Sequence, residues 1–232
     1  MTSVPAVNGT PAIPVYIARP RTEGRFPAVL LLHGCQGFNG FSAIAADRLA
    51  AHGYVAVALD SLGPASLYGA CGGTVDGSIT EVADARATLA WMRTLPYTDP
   101  DRLAIVGGSM GGKALLDIID PIGSAGVLPA GVRAAVAFYP SCDGRDGKTL
   151  VPLAIFDGDA DQISPAPPCA AMVRAGTSAG KVLEITTYPG ATHGFEVPGP
   201  ERTFFGQPIR YDPEAAADAV QKTESFLAHY LN

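Results

Sequence analysis

Five residues, Gly107-Gly108-Ser109-Met110-Gly111, spell G-x-S-x-G directly after the apolar run Leu103-Ala104-Ile105-Val106, and the helix-compatible Lys113-Ala114-Leu115-Leu116-Asp117 follows. A strand, a sharp turn carrying serine and then a helix is the setting of a nucleophile elbow, in which glycines relieve crowding and the serine side chain is pushed outward. A Gly/Ser-rich loop can match five positions by chance, so the rest of the chain has to decide. A serine hydroxyl is a poor nucleophile near neutral pH. It needs a base within hydrogen-bond reach, and the base needs a carboxylate that fixes its tautomer.

The expected chain order on such a scaffold is serine, acid, histidine. The apolar run Leu153-Ala154-Ile155-Phe156 leads into Asp157-Gly158-Asp159-Ala160-Asp161, and Leu183-Glu184-Ile185-Thr186 leads toward Gly190-Ala191-Thr192-His193-Gly194-Phe195. His193 is the candidate base, because the only later histidine, His229, lies in a terminal helix. His52 reads as a favourable charge near a helix C-terminus. Of the three aspartates, Asp161 lies far enough past the strand end to swing over to the histidine loop. Asp157 still sits at the strand terminus, and Asp159 is the second choice. Turns enrich aspartate for local hydrogen bonding, so the other two read as structural.

Ester cleavage also requires N–H donors for the tetrahedral oxyanion. Met110, directly after the serine, supplies one. Cys35 supplies the other, from the turn His33-Gly34-Cys35-Gln36-Gly37 that ends the strand Leu30-Leu31-Leu32, with His33 and Gly34 shaping that turn. The Cys35 thiol is not read as the nucleophile, since the elbow already holds serine. Pocket walls are assigned to Tyr68, Met110 and Phe195, around a shallow open cleft that favours short acyl chains.

These groups must be positioned by a scaffold, and the hydrophobic pattern describes one. Residues 13–18, 28–32, 55–59, 103–106, 134–138, 153–156 and 183–186 are short apolar runs, most of them continuous, as in a parallel sheet buried on both faces. The first run alternates better and reads as an edge strand. Helix-like segments fall between the runs: Ser42 to His52, Ile79 to Leu95, Gly112 to Asp120, Pro168 to Ser178 and Pro213 to Leu231. In the second, Val82, Ala85, Leu89 and Met92 form an apolar stripe, with Glu81, Asp84 and Arg93 off it. The alternation predicts an α/β fold, doubly wound, with the strand ends gathered beside one crevice. Gly63 to Gly77, too glycine-rich for a helix, reads as a functional loop, and Glu196 to Pro208 as a second irregular stretch.

The 232 residues suit a single domain spanning 1–232, and 16 Lys+Arg against 22 Asp+Glu give a net charge of −6 without a basic run. Nucleic acid and membrane are therefore not expected partners. No run of eighteen apolar residues and no signal-like N-terminus is found, so the sequence as it stands reads as soluble and cytoplasmic. No C-x-x-C pair marks a metal site, and no metal or cofactor is expected. Cys35, Cys71, Cys142 and Cys169 allow three pairings or four buried thiols. Pairing as Cys35–Cys71 and Cys142–Cys169 would stabilise by roughly 3–4 kcal/mol per bridge and would imply an oxidising compartment, periplasmic or secreted after removal of a signal.

Taken together, His33 to Gly37, Gly53 to Ser61, Pro96 to Gly112, Asp157 to Pro165 and Pro189 to Phe195 resemble the dienelactone hydrolase family of the α/β-hydrolase superfamily across almost the whole chain. The resemblance implies a mostly parallel twisted sheet, helices on both faces, no large cap domain and a triad falling on Ser109, His193 and Asp161. Family members of the namesake type carry cysteine at the elbow, a glutamate in the oxyanion turn and an arginine soon after the histidine. This chain has Ser109, Gly34 and, after Phe195, Glu196, an acidic residue that disfavours an anionic lactone. The serine branch it resembles often has secreted or periplasmic members with cysteine pairs of this kind. The expected function is a serine carboxylic-ester hydrolase acting on a small ester and water through an acyl-enzyme. The alternatives are a dienelactone-type lactone hydrolase and a non-catalytic binding protein of the same fold.

Overall fold

A computed structural model of the chain describes residues 1–6, 11–64, 71, 77–122 and 127–232. Its centre is an eight-stranded sheet. The strands are β1 (Thr2–Val4), β2 (Ile13–Ala18), β3 (Phe26–Leu32), β4 (Val55–Leu59), β5 (Thr98–Gly108), β6 (Val132–Phe138), β7 (Leu153–Gly158) and β8 (Leu183–Tyr188). They lie in the order β1-β2-β4-β3-β5-β6-β7-β8, antiparallel at β1/β2 and β2/β4 and parallel from β4 through to β8. The first apolar run is therefore not the edge. Three residues ahead of it, Thr2–Val4, pair along its outer side and take that place, too short a strand to leave a periodic signal.

Among the described residues five helices cover the sheet: α1 (Gly40–Ala51), α2 (Gly77–Met92), α3 (Met110–Ile119), α4 (Ala166–Ser178) and α5 (Pro213–Leu231). The pleat of β3 shows how both faces are filled. Ala28, Leu30 and Leu32 belong to the core under α2, α3 and α4, whereas Val29 and Leu31 belong to the core under α1 and α5. Continuous apolar runs are the consequence of that double burial. The stripe Ala85, Leu89 and Met92 packs inward as the periodicity of α2 requires. Glu81 departs from it: its side chain is wholly buried too, because the helix passes beside His33.

The irregular stretch after His193 contains a small hairpin, β9 (Arg202–Phe204) and β10 (Gln207–Ile209), closed by Phe205 and Gly206, both at positive φ. Two residues at positive φ are what a tight hairpin turn with the right twist demands. Among the described residues no helix is long and apolar enough to cross a membrane, and no large cap covers the sheet. Both cysteine pairs, Cys35–Cys71 and Cys142–Cys169, are joined as disulfides.

Candidate active site

Ser109 stands between the end of β5 and the first residue of α3, at φ 55° and ψ −117°. A non-glycine residue at positive φ is strained, and here the surroundings enforce it. Ser109 N–H donates to Phe138 O at 2.9 Å, and Lys113 N–H donates to Ser109 O at 2.9 Å as α3 begins. The flanking glycines are required by contact. A Cβ at Gly107 would lie 2.4 Å from Gly111 O, and one at Gly111 would lie 2.6 Å from the carbonyl oxygens of both Leu32 and His33. The elbow is thus pressed against the end of β3.

His193 Nε2 lies 2.9 Å from Ser109 Oγ, and His193 Nδ1 lies 2.7 Å from Asp161 Oδ2. Asp161 is itself held, its Oδ1 accepting from the N–H groups of Ile163 at 2.7 Å and Ser164 at 2.9 Å. Asp161 and His193 are both buried. The three residues come from the ends of β5, β7 and β8, which parallel pairing brings to the same side of the sheet. Asp159 has a local task, its Oδ1 accepting from Gly190 N–H at 2.6 Å, which braces the turn ahead of the histidine. Asp157 is fully buried, and burial, reinforced by the nearby charge of Asp161, pushes its carboxyl up to about 8.

Met110 opens α3, so its N–H is among the first-turn groups without an acceptor inside the helix. The turn from His33 to Gly37 runs beside the serine: a Cβ at Gly34 would sit 3.7 Å from the Cβ of Ser109. Gly37 N–H closes the turn on Gly34 O at 3.0 Å.

The cleft in front of these groups has a volume of about 460 Å³, and its wall includes Phe41, Phe138, Val197, Phe204 and Ile209. Phe195 is not part of that wall. It is wholly buried, packed on Tyr188 at 5.1 Å and Tyr139 at 5.9 Å between ring centroids, because Gly194 at positive φ turns the chain inward after His193. Met110, which begins α3, is not part of that wall either, and Tyr68, the third assigned wall residue, lies outside the described residues.

Two cleft residues, Tyr139 and Arg202, carried no assigned role in the sequence. Tyr139, after β6, adopts φ 38° and places its ring 4.4 Å from the His193 ring. Its hydroxyl donates to Glu196 Oε1, and burial, then the charge of Glu196, raises the phenol well above its ordinary value. Burial also raises Glu196. Arg202, on β9, lines the same cleft and acts on Glu196 in the opposite direction. An arginine therefore does enter the cleft after the histidine, nine positions on in a hairpin. Its strands are three residues each, too short to leave a periodic signal in the sequence. Among the described residues no group of three or more His, Cys, Asp or Glu is placed to hold a metal ion.

Comparison with known proteins gives consistent results. The model of the dienelactone hydrolase family matches residues 13–231. A Synechocystis protein named "Putative carboxymethylenebutenolidase" is 28% identical, over 97% of this chain and 95% of its own. Among solved structures, a Klebsiella pneumoniae protein described as "Putative Dienelactone Hydrolase" superposes with a TM-score of 0.79 at 23% identity, covering 99% of this chain and 97% of that one. Esterase 2 of Thermogutta terrifontis, with propionate bound, gives 0.73 at 22% identity over 98% and 93%. At these identities the structural matches speak for the fold.

Proposed function

Because the chain belongs to the dienelactone hydrolase family, we propose that this hydrolase is a serine carboxylic-ester hydrolase working as one domain over residues 1–232. The observation that carries the reading is the unbroken line from Asp161 Oδ2 through His193 to Ser109 Oγ, at 2.7 and 2.9 Å. In the first step His193 Nε2 takes the proton of Ser109 Oγ as that oxygen attacks the ester carbonyl. Asp161 holds the Nδ1–H tautomer and stabilises the imidazolium. The peptide N–H groups of Cys35 and Met110 receive the carbonyl oxygen as it gains charge. His193 then protonates the leaving alcohol, and water repeats the sequence on the acyl-enzyme.

The substrate is a small ester. An apolar wall of Phe41, Phe138 and Phe204 supports a short acyl or aryl group beside the serine. A second reading, hydrolysis of a carboxylate-bearing lactone, is favoured by Arg202 in the cleft and opposed by Glu196 next to it. The two readings separate on kcat/KM for a neutral short-chain ester against that for an anionic lactone. The two disulfides support an oxidising compartment.

The reading is tested with Ser109→Ala on p-nitrophenyl acetate, together with labelling by a fluorophosphonate. We expect activity to fall by about 10⁴-fold or more and the label to be lost. Retention of most activity, or an unlabelled wild-type serine, would overturn it in favour of another nucleophile or of a binding protein.

A further inference from the structure

Two disulfides cross-link the chain, and they join quite different surroundings. Cys142 and Cys169 are both buried in the core, tying the chain after β6 to α4. Cys35 is only half-buried and stands in the turn beside Ser109, next to Gln36, which is exposed. The ends of the turn, His33 and Gly37, are buried, but its middle, Gly34 to Gln36, is not covered in the same way. Its internal closure is the single backbone bond from Gly37 N–H to Gly34 O, helped by Asn39 Nδ2, which donates to Gly37 O at 3.4 Å.

What holds the turn comes from the chain that follows β4. On one side, Ser61 N–H donates to His33 Nε2 at 3.1 Å. A nitrogen that accepts a hydrogen bond carries no proton, so the neutral ring bears its hydrogen on Nδ1. That nitrogen lies 2.9 Å from Gly34 O and 3.4 Å from Glu81 Oε1. On the other side, Cys35 is bonded covalently to Cys71. We infer that the Cys35–Cys71 disulfide is a positioning group for the reaction, holding the Cys35 peptide N–H at the place where the oxyanion forms.

The inference rests on the ester-hydrolase reading above and adds a residue to it, Cys71, which touches no reacting atom. The physical reason is the steepness of the requirement. An oxyanion donor must lie about 2.7–3.1 Å from the developing charge, and the loss of one donor costs about 10²–10³ in kcat. Both bonds inside the turn, from Gly37 N–H and from the His33 ring, end on Gly34 O, and neither ties down the Cys35 peptide itself. A covalent tie at the donor residue, set against the Ser61–His33 bond two residues earlier, fixes the peptide from both sides.

The test compares two double variants, Cys35→Ser with Cys71→Ser and Cys142→Ser with Cys169→Ser, assayed well below their melting temperatures. For the first pair we expect kcat on p-nitrophenyl acetate to fall about 10-fold or more, with KM within about 3-fold. The pH profile of kcat/KM stays in place because Asp161 and His193 are untouched. Affinity for a trifluoromethyl ketone, whose serine adduct puts an oxyanion in the same hole, falls in step with kcat/KM. The second pair keeps kcat within about 2-fold. If the first pair does not fold, the folded enzyme is partially reduced with a dithiol and alkylated, and kcat is followed against opening of the Cys35–Cys71 bond. Unchanged kcat and inhibitor affinity in the first pair, or equal losses in both pairs that track melting temperature, would overturn the inference. Ser109→Ala run in parallel separates the two claims. An active Ser109→Ala variant defeats the esterase reading itself, whereas an inactive one beside an unimpaired first pair defeats only the positioning role.

Discussion

Asp157 shows how one side chain can set the electrostatics of a site it does not join. It is fully buried at the end of β7, and burial with the charge of Asp161 lifts its carboxyl to about 8. At neutral pH it is therefore protonated and adds no second negative charge beside Asp161. The unfolded chain releases that proton near pH 4. Below pH 4 the proton is bound in both states and costs nothing. Between pH 4 and 8 the folded state holds more protons than the unfolded one, so stability falls as pH rises, and the fall ends above 8. Asp157→Asn removes this dependence. Its melting temperature should gain on that of the wild type by about 5 °C or more between pH 4.5 and 8.5, measured by thermal denaturation. A gap independent of pH would show that the carboxyl titrates normally. Residues at this scale were unequally legible in the sequence. Asp161 and His193 could be chosen from their distance past strand ends. Phe195 could not be placed, because whether the residue after Gly194 faces the cleft or the core depends on a backbone φ that sequence spacing does not carry. Glu81 was misplaced for a related reason: its burial follows from the approach of His33, a contact between residues 48 positions apart.

At the scale of elements, the elbow and the end of β3 form one packed unit. Gly111→Ala would drive a methyl group to 2.6 Å from two carbonyl oxygens, which are backbone atoms and cannot step aside. We expect a loss of about 1–3 kcal/mol in stability, and a fall in kcat of at least about 100-fold, because the serine and the oxyanion turn are forced apart. Gly40→Ala, at the start of α1, meets nothing within 4 Å and should change stability by no more than about 0.5 kcal/mol. Urea titration and steady-state kinetics of the two variants give the comparison. Similar behaviour of both would mean that the elbow has slack. The strands around it were readable because double burial writes continuous apolar runs. The β1 strand and the β9–β10 hairpin were not, since three residues are too few to establish a period, and their pairing is settled by neighbours in space.

At the scale of the whole molecule, the Cys142–Cys169 bridge closes a loop of 27 residues and lies in the core. In the chain-entropy description such a loop stabilises by roughly 3–4 kcal/mol. The Cys142→Ser, Cys169→Ser variant should therefore unfold at a lower urea concentration by an amount equivalent to about 3 kcal/mol, while the sheet and the cleft remain. An unshifted midpoint would assign the bridge no role in stability.

The sheet order carries a final consequence, for the way activity arises during folding. The oxyanion turn follows β3, the serine follows β5, the aspartate follows β7, and the histidine follows β8 at the outer edge of the parallel region. No fragment that lacks β3, β5, β7 or β8 holds all four groups beside one another, and His193 comes to Ser109 from the end of β8, which pairs on β7. On the serine-hydrolase reading, hydrolysis therefore requires the parallel sheet to be assembled from β3 to β8. On that reading a polypeptide whose apolar strands are still unpaired is chemically silent, and Ser109 becomes reactive only where the folded sheet sets His193 beside it.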